Sequence, residues 1–241
     1  MNRIAIIAAL PGELKPLVRG WAHERLGGVE LWRTRHNNLE WIAACAGMGQ
    51  QAAIRAFAEA EKSGPLVRVF SVGWAGSLRE DIVAGKAYRA SGVIDLRTGE
   101  RFSVPGSAKD DPWLVTSASV AGPDDKRRLA AEYQAGLVDM EAAAIARLAV
   151  MRSIPFSCIK GVSDGVTDNL PDFNRFISAQ GQLRLSRLLF FVLPRPWYWP
   201  AFIRMGENSS KASHSLTGLL LENLEKSGDT SNPNGDTNLS R

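Results

Sequence analysis

Short, continuous apolar runs recur along most of the chain. Between them lie stretches in which apolar positions return every three or four residues. The runs predict strands at 3–9, 30–35, 40–45, 67–72, 86–94, 113–117, 136–139 and 155–161. The three-to-four spacing predicts helices at 11–19, 50–62, 123–133, 141–152, 172–193 and 197–225. Buried strands alternating with helices imply an α/β fold: three αβα layers around a mixed, mostly parallel sheet. Arg35-His-Asn-Asn38 reads as a hairpin turn, so 30–35 and 40–45 should pair antiparallel. No internal repeat is visible. One domain is expected over 1–226, with a helical extension from about residue 180. The Ser-, Asn-, Asp- and Gly-rich stretch 227–241 is expected to be a disordered tail.

Composition narrows the classes. The chain has 241 residues, of which 45 % are hydrophobic, enough for a full core. A net charge of +4 with dispersed arginines predicts a solvated surface, with no nucleic-acid partner. Cys45 and Cys158 fall in apparent strands and read as small core residues. His23, His36 and His214 are scattered, so no metal is expected. Met1-Asn-Arg-Ile leads straight into a strand with no leader pattern, which points to a cytoplasmic protein. The run Leu183–Leu193, followed by Pro194–Arg204, is too short and too charged to span a bilayer. A helix packed on the sheet is the preferred reading there. Membrane-surface contact through 194–204 is the disfavoured one.

Candidate chemistry centres on acids. Glu141, after Met140, opens an otherwise apolar helix. Such an acid can simply stabilise its own helix through the dipole, or it can accept two hydrogen bonds from a ligand diol. Ser163-Asp164 stands at the C-terminal end of a buried strand, the edge at which open α/β sheets bind ligands. Glu13 lies just past the first strand. These three acids converge if their strands run parallel. Gly47-Met48-Gly49 reads as a tight turn in preference to a phosphate cradle, since it lacks a third glycine and a downstream acid. Gly73-Trp74-Ala75-Gly76 is similar in form.

Five pieces in order carry a resemblance: Ile4–Glu13, Ala46-Gly-Met-Gly49, Ser71–Leu78, Val138-Asp-Met-Glu-Ala-Ala-Ala144 and Val162-Ser-Asp164. Over about residues 1–180 the chain resembles the nucleoside phosphorylase and nucleosidase superfamily. The branch it most resembles is the methylthioadenosine/S-adenosylhomocysteine nucleosidases. The resemblance implies cleavage of a purine–ribose bond without a cofactor, and a homodimer. It assigns Asp164 to the leaving purine, with Ser163 orienting it, and Glu13 to the attacking water. Glu141 would bind the ribose hydroxyls, Met140 would pack beneath the sugar, and Gly73 would let backbone approach the ligand.

Trp74 stands where phosphorylases of the superfamily often carry a phosphate-binding hydroxyl, which favours water as nucleophile. Lys15 and Arg19 are cations that can serve phosphate, and Lys160, where nucleosidases often carry an arginine near the water, can serve either nucleophile, so a phosphorylase stays open. Two departures bear on the substrate. Asp95–Trp113 is shorter than in typical nucleosidases, and Ser117–Gly122 lacks the purine-stacking aromatic. An apolar 5′ group, as in an adenosyl-hopanoid precursor, is therefore a related reading. A non-catalytic nucleoside-binding protein is the reading from another class.

Overall fold

The structure, a computed structural model, describes residues 2–36, 39–168, 171–178 and 180–229. Its strands are β1 (Arg3–Ala8), β2 (Ala22–Leu26), β3 (Val29–His36), β4 (Leu39–Cys45), β5 (Leu66–Ser71), β6 (Trp74–Ser77), β7 (Ala87–Arg89), β8 (Gly92–Asp95), β9 (Arg101–Ser103), β10 (Trp113–Thr116), β11 (Leu137–Asp139) and β12 (Phe156–Asp164). The helices are α1 (Pro11–Leu14), α2 (Gln50–Lys62), α3 (Pro123–Tyr133), α4 (Ala142–Met151), α5 (Leu185–Val192) and α6 (Trp199–Asp229).

The strands form one mixed sheet in the order β2-β3-β4-β1-β5-β12-β6-β11-β10-β8-β9, and β7 also pairs with β12. Its centre is parallel: β1 pairs parallel with β4 and β5, and β12 with β5 and β6. Alternation along β1 sets the layers, because successive side chains point to opposite faces. Ala5 and Ile7 pack in the core that contains Ala53, Phe57 and Ala146 of α2 and α4. Ile4 and Ile6 pack in the core that contains Leu14, Leu216 and Leu220 of α1 and α6. Leu129 of α3 packs on Ile94 and Val115, while the neighbouring Val93 and Leu114 belong to the α2 and α4 side. The three-layer expectation holds, and α6 is itself part of a layer.

Several boundaries differ from the sequence reading. The expected strand 86–94 is two strands, because the chain changes partner. β7 lies against β12 and β8 against β10. The expected helix 11–19 stops at Leu14, two residues before Pro16, which has no N–H to continue it. The expected helix 172–193 is a 3-10 turn at Phe173–Phe176, a bridge between Ile177 and Leu183, and then α5. Gly181 turns the chain there at φ 81°, with no room for a Cβ against the Met48 carbonyl. β2, β6 and β9 were not expected. All five residues of β2 are exposed, so no apolar pattern marked it. β3 and β4 pair antiparallel as expected, but Asn37 and Asn38 of the expected turn lie outside the described residues. So does the expected tail beyond Asp229, where α6 ends.

Candidate active site

A cavity of about 480 Å³ is lined by Glu13, Glu141 and Asp164 together with Trp74, Met140 and Ser163. The three acids come from three places: α1 just after β1, the turn after β11, and the end of β12. The parallel expectation holds for only two of them. β11 runs antiparallel to β6, which is itself parallel to β12.

Glu13 is 4 % exposed. Its Oε2 accepts from the N–H of Ala9 at 2.8 Å and of Leu10 at 2.9 Å, and Oε1 accepts from Trp74 N–H at 2.9 Å. A carboxylate offers about four acceptor sites, so one remains. Burial pushes the Glu13 carboxyl up, against those donors and Lys160. Gly73 makes the arrangement possible. At φ 124°, a Cβ there would lie 2.8 Å from Glu13 Oε2. Gly73 therefore lets the backbone approach Glu13, whereas the sequence reading had it approaching the ligand.

Glu141 precedes α4 but makes no capping bond to it. Its Oε1 accepts from Gly49 N–H at 2.6 Å and its Oε2 from Met140 N–H at 3.2 Å. Burial, then the neighbouring Asp139 charge, pushes its carboxyl up to about 8. Asp139 stabilises the helix start in its place. Asp139 Oδ2 accepts from Ala142 N–H at 2.9 Å, and Thr116 Oγ donates to Oδ1 at 2.7 Å. Gly49 is thus a turn whose N–H is already taken, in line with the tight-turn reading of Gly47–Gly49.

Asp164 receives a 2.6 Å hydrogen bond from the Ser163 hydroxyl and one from the Lys126 ammonium. Lys126 is 2 % exposed and also donates to the Gly165 carbonyl at 2.6 Å. Nothing in the sequence marked Lys126, which sits in the charged run Pro123-Asp-Asp-Lys-Arg-Arg128. A lysine there reads as solvated until α3 is seen to turn it under β12.

The expected cations fall elsewhere. Lys15 and Arg19 are exposed and do not line the cavity. Lys160 is buried behind it, bonded to the Val72 carbonyl at 3.0 Å and paired with Asp139 at 2.9 Å. Burial pulls its ammonium down, but Asp139, Cys158 and Glu141 outweigh that, and the net shift is upward. Trp74 presents its ring to the cavity, but its indole N–H donates to Ser209 O at 3.1 Å and Ser213 Oγ at 3.0 Å, both on α6. The remaining walls are small or apolar and include Val120, Phe173 and Met205. Asn174 holds Val120 through both its backbone N–H (2.8 Å) and its carbonyl (3.2 Å).

Fold and site together define an αβα protein with a carboxylate-lined cavity. The chain belongs to the phosphorylase superfamily, whose family profile matches residues 3–112 and 110–190. A comparison with curated proteins finds no match. Among solved structures, the Helicobacter pylori 5′-methylthioadenosine/S-adenosylhomocysteine nucleosidase with butyl-thio-DADMe-Immucillin-A superposes with a TM-score of 0.69. It is 16 % identical over 94 % of this chain and 99 % of its own. Helicobacter pylori futalosine hydrolase gives 0.71 at 15 % identity, covering 93 % and 98 %. Apo Arabidopsis thaliana 5′-methylthioadenosine nucleosidase gives 0.69 at 18 %, covering 94 % and 96 %. At these identities the likeness is one of fold.

Proposed function

We propose that the protein hydrolyses the N-glycosidic bond of a purine nucleoside of the methylthioadenosine or adenosylhomocysteine type. The supporting observation is one cavity lined by Glu13, Glu141 and Asp164, in which Lys126, the single cation among the described lining residues, is committed to Asp164. Glu141 keeps free acceptor capacity on both oxygens for the ribose 2′- and 3′-hydroxyls. Met140 packs against the sugar. The C1′–N9 bond breaks and its electron pair leaves with the purine. The proton that neutralises the purine at N7 arrives through Asp164, fed from the Lys126 side of their hydrogen bond. Water, held on the remaining acceptor site of Glu13, bonds to C1′ and gives its proton to that carboxylate. Burial makes Glu13 a stronger base than an exposed glutamate.

Water is favoured over phosphate for a specific reason. A phosphate oxyanion needs several donors or a cation. Near Glu13 the backbone N–H groups of Ala9, Leu10 and Trp74 are spent on Glu13, and the Trp74 indole is spent on α6. The test is product analysis with methylthioadenosine, adenosylhomocysteine, adenosine and inosine, each with and without phosphate. Free base and the free sugar, still carrying its 5′ substituent, at a phosphate-independent rate are expected. A ribose 1-phosphate formed only with phosphate present would overturn the choice of nucleophile. Asp164→Asn should lower turnover by about a hundredfold or more, the scale of general-acid loss. Unchanged turnover would remove Asp164 from the reaction.

A further inference from the structure

The segment Leu183–Arg204 takes no part in that chemistry, and its outer side is unusual. Seven of the thirteen large hydrophobic side chains exposed among the described residues fall between Leu185 and Ile203. Phe190 is 77 % exposed and Trp197 69 %. The sequence favoured packing on the sheet for this segment. Instead α5 covers a small separate core of Phe173, Phe176, Leu188 and Val192. The turn into α6 is held from beneath: the Trp199 indole donates to Val192 O at 3.2 Å, and the Arg195 guanidinium lies 3.9 Å over the Phe191 ring. The apolar outer face is therefore a fixed surface.

Its charge is one-sided. Leu183–Arg204 contains four arginines and no acid; Arg204 pairs with Asp168 outside the segment at 3.7 Å, and Arg195 is bonded to the Phe191 carbonyl. Arg184 and Arg187 are exposed and form no ion pair among the described residues. No helix there is long and apolar enough to cross a membrane.

We propose that this face, formed by α5 and the start of α6, docks on an anionic lipid surface. Soluble surfaces rarely leave large aliphatic and aromatic side chains clustered without a partner. Tryptophan, leucine and phenylalanine interleaved with arginine suit the boundary between headgroup and acyl chain. Unneutralised arginines complement anionic headgroups. A second copy fits less well, because a two-fold contact would set Arg184 and Arg187 against the same pair, and the segment between Leu183 and Arg204 offers no acid to separate them. The core beneath the face supplies Phe173 to the cavity wall, with Leu183 and Met205 beside it. Docking thus brings one wall of the cavity next to the bilayer. The proposal does not depend on the reaction assigned above.

The experiment is co-sedimentation of the full chain with vesicles of phosphatidylcholine alone and of phosphatidylcholine with phosphatidylserine. Binding to the anionic vesicles should exceed binding to the neutral ones by about tenfold and weaken with salt. The double variant Phe190→Ser, Trp197→Ser should lose about tenfold of that binding. Both side chains are exposed, so its thermal unfolding should match the parent. Arg184→Gln with Arg187→Gln should reduce the preference for anionic vesicles. Three results would each overturn the proposal. They are no pelleting with anionic vesicles, equal pelleting of the double variant, and a lipid-free dimer that the double variant converts to monomer.

Discussion

At the scale of single residues, the site depends on groups other than its three acids. Gly73 shows this best. Gly73→Ala would combine a positive φ with a Cβ 2.8 Å from the Glu13 carboxylate. The carboxylate would have to leave its three backbone donors. Turnover should drop about tenfold or more while the 2′-hydroxyl preference, which we assign to Glu141, stays. Equal activity in Gly73→Ala would show that Glu13 need not sit where it does. Lys126 is the second such residue. Removing its ammonium leaves Asp164 with Ser163 as its one remaining side-chain donor among those described. Lys126→Met keeps the buried volume and should still cost at least about tenfold in kcat, with a changed pH profile. An unaltered kcat and profile would make Lys126 a structural partner of Asp164 and nothing more.

At the scale of elements, α6 seals the back of the site. It approaches β12 closely because Gly161 has no side chain: a Cβ there would lie 2.9 Å from the Ala212 Cβ and carbonyl oxygen. Gly161→Val should therefore destabilise the fold by about 1–3 kcal/mol through overpacking. It should also loosen Trp74, whose N–H is held by Ser209 and Ser213 on the same helix. Chemical denaturation measures the first effect, and an unchanged midpoint would mean that α6 is free to shift. The sequence announced β1, β4, β5 and β12 clearly because each is a short, mostly buried apolar run, and α2 and α4 because each buries an apolar face. It was silent on β2, which is exposed along its whole length, and on the break between β7 and β8, where the partner strand changes from β12 to β10. The end of α1 was within reach, since Pro16 signals it. The α5 region misled because apolar spacing cannot distinguish a face that meets the sheet from one that meets solvent.

At the scale of the whole molecule, the three acids found by motif do line one cavity, but their charge balance was not legible. That balance is set by Asp139, which looks like an ordinary strand residue until β11 is in place, and by Lys160, which the sequence offered to the nucleophile and the structure pairs with Asp139 at 2.9 Å. Glu13, Asp139 and Glu141 are three buried carboxyls sharing the field of the buried Lys160. These carboxyls therefore keep a proton, and Glu141 holds it up to about pH 8. In the unfolded chain Glu141 returns to its ordinary value of 4.5. Between those limits the folded state binds more protons than the unfolded one, so stability falls as pH rises and levels off above about 8. Burial gives Glu13 a shift of the same sign, so the parent slope has more than one source. Glu141→Gln removes one of them. Relative to the parent, the variant should gain stability with rising pH, by at most about 1.4 kcal/mol per pH unit, and the gain should end near pH 8. A diol ligand reverses the preference, because its hydroxyls donate best to the charged carboxylate. Binding of a riboside analogue to the parent should strengthen as pH rises toward about 8. In Glu141→Gln that strengthening should disappear. Denaturation and analogue titration over the same pH range measure both, and parallel curves for parent and variant in either measurement would remove Glu141 as the group that carries the proton.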